Sequence, residues 1–346
     1  MCETKEKTAN CEILNIGDFE LQSGATIRDC KLAYKVHGSL NKKRDNAIVV
    51  PTFYGGNHDD IDPMIGENKA LDPNKYFIVV PNMFGNGMSS SPSNTSGPYG
   101  RARFPNVTIY DNVVAQHYLL TEILRVRKIE LVTGTSMGAL QTYQWASLYP
   151  GLVKKAAPVC GSARVSNHNF VFLEGVKAAL TADDAFKCGW YDRQPNKGLR
   201  AFGRVYAGWA VSQAFYRNEM YKKIGYSSLE DYLIYFWEGR RIHSDANDLL
   251  AMLWTWQHAD ISNNEKYNGD FDAALAEISA KTIVMPCLTD LYFPPEDSEY
   301  EVSRMPNAEF RPIESIWGHL AGSPGANTED SDFIDGSLRH LLGCGE

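Results

Sequence analysis

"LVTGTSMGALQTYQWASLYP" (131–150) is the stretch on which the reading of this chain turns. Its start completes an apolar run, "IELVT", as a buried strand would. Its end, "MGALQTYQWASLY", spaces Leu140, Tyr143 and Ala146 as one face of a helix, which Pro150 ends. Gly134, Ser136 and Gly138 stand at the junction as G-x-S-x-G. On a sharp strand-to-helix turn a serine side chain stands clear of the backbone, and the glycines leave room for tight packing. A serine hydroxyl is a weak nucleophile. It needs a base, a group that holds the base, and donors for the oxyanion. Ser136 is therefore a candidate nucleophile, with an acid and then a histidine expected after it in the chain.

Asp290 ends the strand-like run "TIVMPCLTD" (282–290), where a loop would carry its carboxylate to the sheet edge. Glu296 and Asp297 compete for the role, but follow Pro294 and Pro295 in what reads as the next helix. Of the eight histidines, only His319 and His340 follow this acid. His340 sits in a helical pattern, "SLRHLL". His319 sits in a loop, "SIWGHLAG", where Gly318 permits a turn. One oxyanion donor is expected from the backbone N–H of Met137. The second is expected from the loop "TFYGG" (52–56), at Phe53 or Tyr54, where glycines suit close backbone approach.

Outward from this centre, short apolar runs recur: "NAIVVPT" (46–52), "YFIVVPN" (76–82), "IELVTG" (129–134) and "TIVMPCLTD". Continuous apolar runs suit a parallel sheet covered on both faces. "FELQSG" and "CKLAYKVHG" alternate as an antiparallel edge pair would. "KKAAPVC" (154–160) and "AEFRPI" (308–313) bring the count to about eight strands. Helical patterns lie between them, at 110–126, 137–149 and 332–342. The alternation predicts an α/β class protein with a doubly wound, mostly parallel sheet and helices on both faces. It stops between about Ser162 and Leu275, where the chain reads helical throughout and carries five of its seven tryptophans. The expected organisation is a core of 1–161 and 276–346 with a helical lid, 162–275, over the carboxyl edge of the sheet. Some of the lid's aromatic residues should line a pocket.

Composition excludes several classes. Net charge is −8 and Lys and Arg are scattered, so no nucleic-acid partner is expected. No apolar run has transmembrane length, and "MCETKEKTAN" has no apolar segment of the signal-peptide kind. Seven cysteines, an odd number without a CxxC pair, fit unpaired thiols in a reducing cytoplasm. "FGNGMSS" lacks the third glycine and following helix of a dinucleotide site. "NHDDID" (57–62) reads as a solvated acidic loop rather than a metal site. No cofactor and no metal are expected.

The chain resembles the homoserine O-acetyltransferase-like group of the α/β-hydrolase superfamily over nearly its whole length. The resemblance rests on "FPNVTIYDNVVAQHYLL" (104–120), "GTSMGALQTYQWASLYP" (134–150), "TDLYFPPED" (289–297) and "WGHLAG" (317–322). It implies an α/β-hydrolase fold, with the nucleophile at Ser136, the acid at Asp290, the base at His319 and the second oxyanion donor at Phe53. It also implies a lid through which members often form homodimers, and, in the true transferases, acetyl-CoA and an acetyl-serine. Those transferases carry an aspartate after the catalytic histidine to hold the substrate's ammonium group; here the position is Leu320. For the lid arginine that meets the substrate carboxylate, Arg200 and Arg204 are the candidates. Tyr54, Arg204 and Leu320 are thus the expected substrate-binding residues.

Three functions follow. The first and favoured is hydrolysis of a small-molecule ester or thioester. The second is acyl transfer from a donor such as acetyl-CoA to an alcohol other than homoserine. The third is a binding protein on a retired hydrolase fold, which an apparently complete triad disfavours.

Overall fold

The computed structural model describes residues 6–8 and 11–343. Its strands are β1 (Glu6–Thr8), β2 (Cys11–Glu20), β3 (Thr26–His37), β4 (Ala47–Val49), β5 (Phe77–Pro81), β6 (Ile129–Thr135), β7 (Lys155–Val159), β8 (Lys281–Val284) and β9 (Ala308–Phe310). They form one sheet in the order β1-β2-β3-β5-β4-β6-β7-β8-β9. The β1–β2, β2–β3 and β3–β5 pairs are antiparallel, and every pair from β5–β4 onward is parallel. The apolar runs are continuous because both faces are covered. In β4, Ala47 and Val49 enter one hydrophobic cluster while Ile48 enters the other, and Phe77, Val79 and Ile78, Val80 of β5 divide the same way.

The expected mostly parallel sheet of about eight strands is what the chain forms, with two details at its antiparallel edge that the sequence did not show. The sheet has a ninth strand, β1, in a charged segment without an apolar pattern. The segment "FELQSG" covers only the last two residues of β2, which runs back to Cys11. Its alternation is hidden because the register slips around Gly17, whose φ is +83°, so the inward positions change phase at an irregularity.

The helices are α1 (Ile109–Tyr118), α2 (Met137–Leu148), α3 (Asn167–Thr181), α4 (Asn196–Ala210), α5 (Gln213–Arg217), α6 (Met220–Lys223), α7 (Leu229–Tyr232), α8 (Ala246–Gln257), α9 (Phe271–Ala276), α10 (Pro295–Arg304) and α11 (Thr328–Leu342). The pattern at 110–126 remains α-helical only to Tyr118. A π-helical turn then spans Leu119–Ile123, closed by the Leu124 N–H on the Leu119 carbonyl. Helices α3–α9 all come between β7 and β8. No helix among the described residues is long and apolar enough to cross a membrane.

One buried acid ties three of these elements together. Glu301 on α10 accepts the N–H of Ala163 at 2.6 Å, just past β7, and lies beside Tyr143 of α2. Burial pushes its carboxyl up to about 8. The folded chain therefore keeps a proton that the unfolded chain releases above the ordinary glutamate range near pH ~4.3. Stability from this group is complete below that range and is lost as pH rises through about 8. Thermal unfolding of Glu301→Gln between pH 6 and 9 should therefore show a smaller fall in Tm than the native chain. An equal fall in both would remove Glu301 from this role.

Candidate active site

The sheet delivers its candidate residues at the carboxyl ends of its strands, where open α/β sheets bind ligands. β4 leads into Phe53 and Tyr54, β6 into Ser136, β8 into the loop of Asp290, and β9 into the loop of His319.

Ser136 has φ +57° and ψ −123°, a conformation an L-residue holds only when its surroundings impose it. Its N–H is held by the Val159 carbonyl at 3.0 Å, and its carbonyl accepts the N–H groups of Ala139 and Leu140. The flanking glycines are in van der Waals contact. A Cβ on Gly134 would lie 2.6 Å from the backbone of Gly138, and one on Gly138 would lie 2.6 Å from the Pro51 carbonyl oxygen. The serine side chain makes no capping bond to its helix. Helix α2 starts at Met137, so the Met137 N–H belongs to the first turn, which lacks intrahelical acceptors.

His319 Nδ1 and Asp290 Oδ2 are 2.7 Å apart, with both residues buried. The other oxygen of Asp290 accepts the N–H groups of Tyr292 and Phe293, each at 3.1 Å, which fixes the carboxylate. The Tyr292 and Phe293 rings pack against the imidazole at 4.4 and 5.6 Å. Thr289 joins the two loops: its hydroxyl donates to the Ser315 carbonyl at 2.7 Å and accepts the Gly318 N–H at 3.2 Å. Gly318, at φ +60°, lies where a Cβ would be 2.9 Å from the backbone of Val211 and Ser212, at the junction of α4 and α5. Ser212 in turn donates to the Ile316 carbonyl at 2.5 Å. The inserted helices thus clamp the histidine loop. The anchoring roles of Thr289 and Ser212 carry no sequence signature, since the hydroxyls of both act on backbone groups far away in the chain.

Ser136 and His319 line one cavity of about 70 Å³ together with Phe53, Tyr54, Leu320, Arg240 and Arg241. Tyr54 bridges the loop after β4 to the inserted helices. Its hydroxyl donates to the Leu249 carbonyl at 3.0 Å and its ring stacks on Tyr206 at 6.3 Å. Of the five tryptophans between 162 and 275, Trp237 lines the cavity, whereas Trp256 is core and Trp190 is exposed. Arg204 stands apart from the other expected residues. Its guanidinium pairs with Glu230 and Glu238, Arg200 shares Glu238, and neither arginine lines this cavity. The guanidinium groups at the cavity belong to Arg240 and Arg241 instead. The buried thiols of Cys160 and Cys287 are pushed above the usual thiol range by burial and are held as inert SH groups.

A model of the alpha/beta hydrolase fold family matches residues 47–322. The chain belongs to this family. Within it, this α/β hydrolase is 42% identical to an ethyl acetate hydrolase of Pseudomonas veronii over 342 residues, covering 98% of this chain and 97% of the relative. The solved structure of the acetyl esterase MekB superposes with a TM-score of 0.94 at 42% identity, covering 97% of each chain. A homoserine O-acetyltransferase of Nostoc punctiforme is 30% identical, covering 88% of this chain and 89% of that one. The hydrolase therefore sits in the homoserine O-acetyltransferase-like group.

The Gly134–Gly138 contact makes a prediction. Gly134→Ala should displace the turn, cut ester hydrolysis at least about tenfold, and cost about 1–3 kcal/mol of stability. Calorimetry and initial rates measure both. Unchanged rate and Tm would mean that the turn tolerates a methyl group there.

Proposed function

We propose that this enzyme hydrolyses small, short-chain esters through an acyl-serine at Ser136. His319 takes the serine proton and returns it to the leaving alcohol, and Asp290 holds the imidazole and stabilises its charged form. The backbone N–H groups of Met137 and Phe53 receive the negative charge of the tetrahedral intermediate. Water then attacks the acyl-serine, with the same imidazole as base. The observation that carries this reading is the fixed Asp290–His319 pair opening on one small cavity with Ser136. Full-length similarity to ester hydrolases supports it.

A cavity of about 70 Å³ suits an acetyl-sized acyl group. Its wall also argues against homoserine as acceptor, since Leu320 lines it and no lining residue is acidic. An α-ammonium group brought there would be desolvated without a carboxylate partner, a cost on the order of several kcal/mol. Transfer from acetyl-CoA to another alcohol is the second reading, supported by the homoserine O-acetyltransferase relatives. In either reading residues 162–275 serve as the lid, in a cytoplasmic enzyme. Ile234 and Tyr235, 42% and 75% exposed on the lid, offer apolar surface for a homodimer. Light scattering at twice the chain mass would support that pairing, and a monomer at all concentrations would remove it.

The Ser136→Ala variant should fold and lose turnover by about a million-fold. p-Nitrophenyl acetate should be cleaved faster than the octanoate by more than about tenfold, the scale of a steric misfit. Homoserine should neither speed CoA release from acetyl-CoA nor yield O-acetylhomoserine by mass spectrometry. Near-native rates in Ser136→Ala would overturn the mechanism, and efficient O-acetylhomoserine formation would overturn the choice of hydrolysis over transfer.

A further inference from the structure

The charge of the catalytic cavity runs against that of the chain. The protein carries a net −8, yet Arg240 and Arg241 line the cavity and none of its lining residues is acidic. Both follow the π-helical turn Leu233–Glu238. The Arg241 Cζ lies 5.6, 5.5 and 5.2 Å from the ring centroids of Tyr54, Phe202 and Tyr206, and the Arg240 Cζ lies 4.9 Å from that of Phe236. Among the described residues neither guanidinium has a carboxylate at ion-pair distance. Of the nearby acids, Glu238 and Glu230 hold Arg200 and Arg204, while Asp60 accepts the Asn57 N–H and attracts Arg240 from beyond ion-pair distance. Room for Arg241 is provided by the loop after β4. Gly55 has φ +68°, and a Cβ there would lie 2.7 Å from Arg241 Nη1. The loop that carries Phe53 thus leaves its side-chain space to a cation.

Ring faces offset only part of the cost of withdrawing a guanidinium from water. The planar fork keeps its donors free for a bidentate oxyanion. An acidic protein with two arginines at its reactive cavity, neither of them in an ion pair, also focuses a positive potential there, which draws in anions. We propose that Arg240 and Arg241 form an oxyanion-binding subsite of the catalytic cavity. The preferred substrate is then a small ester or thioester that itself bears a carboxylate or a phosphate. This inference rests on the reading of the cavity as an ester-hydrolysing site.

The test compares kcat/KM for O-acetylglycolate, for its uncharged methyl ester and for acetyl-CoA, in the native chain and in Arg241→Gln, Arg240→Gln and Arg241→Lys. The native enzyme should prefer at least one anion over the methyl ester by about 10- to 100-fold, the range of charge-assisted hydrogen bonds, mainly through KM. The preference should fall toward one in both Gln variants, recover in part in the Lys variant, and weaken with added salt. Each ratio is taken within one variant, so loss of folded material cancels. Preference for acetylglycolate assigns the subsite to a carboxylate, and preference for acetyl-CoA alone assigns it to phosphate. A native ratio near one for both anions, or a ratio unchanged in both Gln variants, would overturn the subsite while leaving ester hydrolysis intact. Failure to cleave the methyl ester and both anions alike would overturn the esterase reading itself.

Discussion

A serine backbone at φ +57° is the constraint on which the rest of the site depends. Left alone, the chain would relax it, since such positions cost on the order of 1–3 kcal/mol. Here relaxation is blocked from several sides. Gly134 touches Gly138, Gly138 touches the Pro51 carbonyl, and a Cβ on Gly161 would lie 2.8 Å from the Ser136 carbonyl oxygen. The Ser136 N–H is bound across to β7. The cost of the turn is thus met by sheet and helix packing, and the returns are a side chain that makes no bond to its own helix and a first-turn N–H at Met137 without an intrahelical acceptor.

The histidine is placed by a different logic. The segment after β9 has a short 3-10 turn, Gly318–Gly322, and a Trp317 N–H bond to the Ser315 hydroxyl, and distant groups hold it further: Thr289 from the loop of Asp290, Asp330 through the Ser315 hydroxyl, and Ser212 from the inserted helices. Gly318 makes the last of these possible, because any side chain would collide with Val211 and Ser212. The Asp290–His319 pair is thus packed directly against the α4–α5 junction.

Much of this was legible in the sequence, for identifiable reasons. Ser136 announces itself because the turn needs two glycines at fixed offsets, and Asp290 and His319 because few acids and histidines end strand-like runs after it. The eight apolar or alternating runs follow from a sheet covered on both faces. What escaped depends on long-range contact. Arg204 looked like a substrate ligand, but it shares the buried Glu238 with Arg200, one turn before it on the same helix, and a sequence does not reveal which acid lies across a helix. Arg240 and Arg241 escaped because "EGRRIH" has no motif. Their meaning comes from space, where the neighbouring acids Glu230 and Glu238 pair with other arginines. The early course of β2 was hidden by a one-residue irregularity at Gly17.

The cavity that results is small, carries two guanidinium groups and sets Ser136 beside His319. Its central claim is that the strained serine is the nucleophile. Titration with a fluorophosphonate, followed by peptide mass spectrometry, tests this most directly. The account predicts one label per chain, on Ser136, with ester hydrolysis falling in proportion to labelling. Activity that survives complete labelling, or a label on another residue that accompanies the loss, would contradict it.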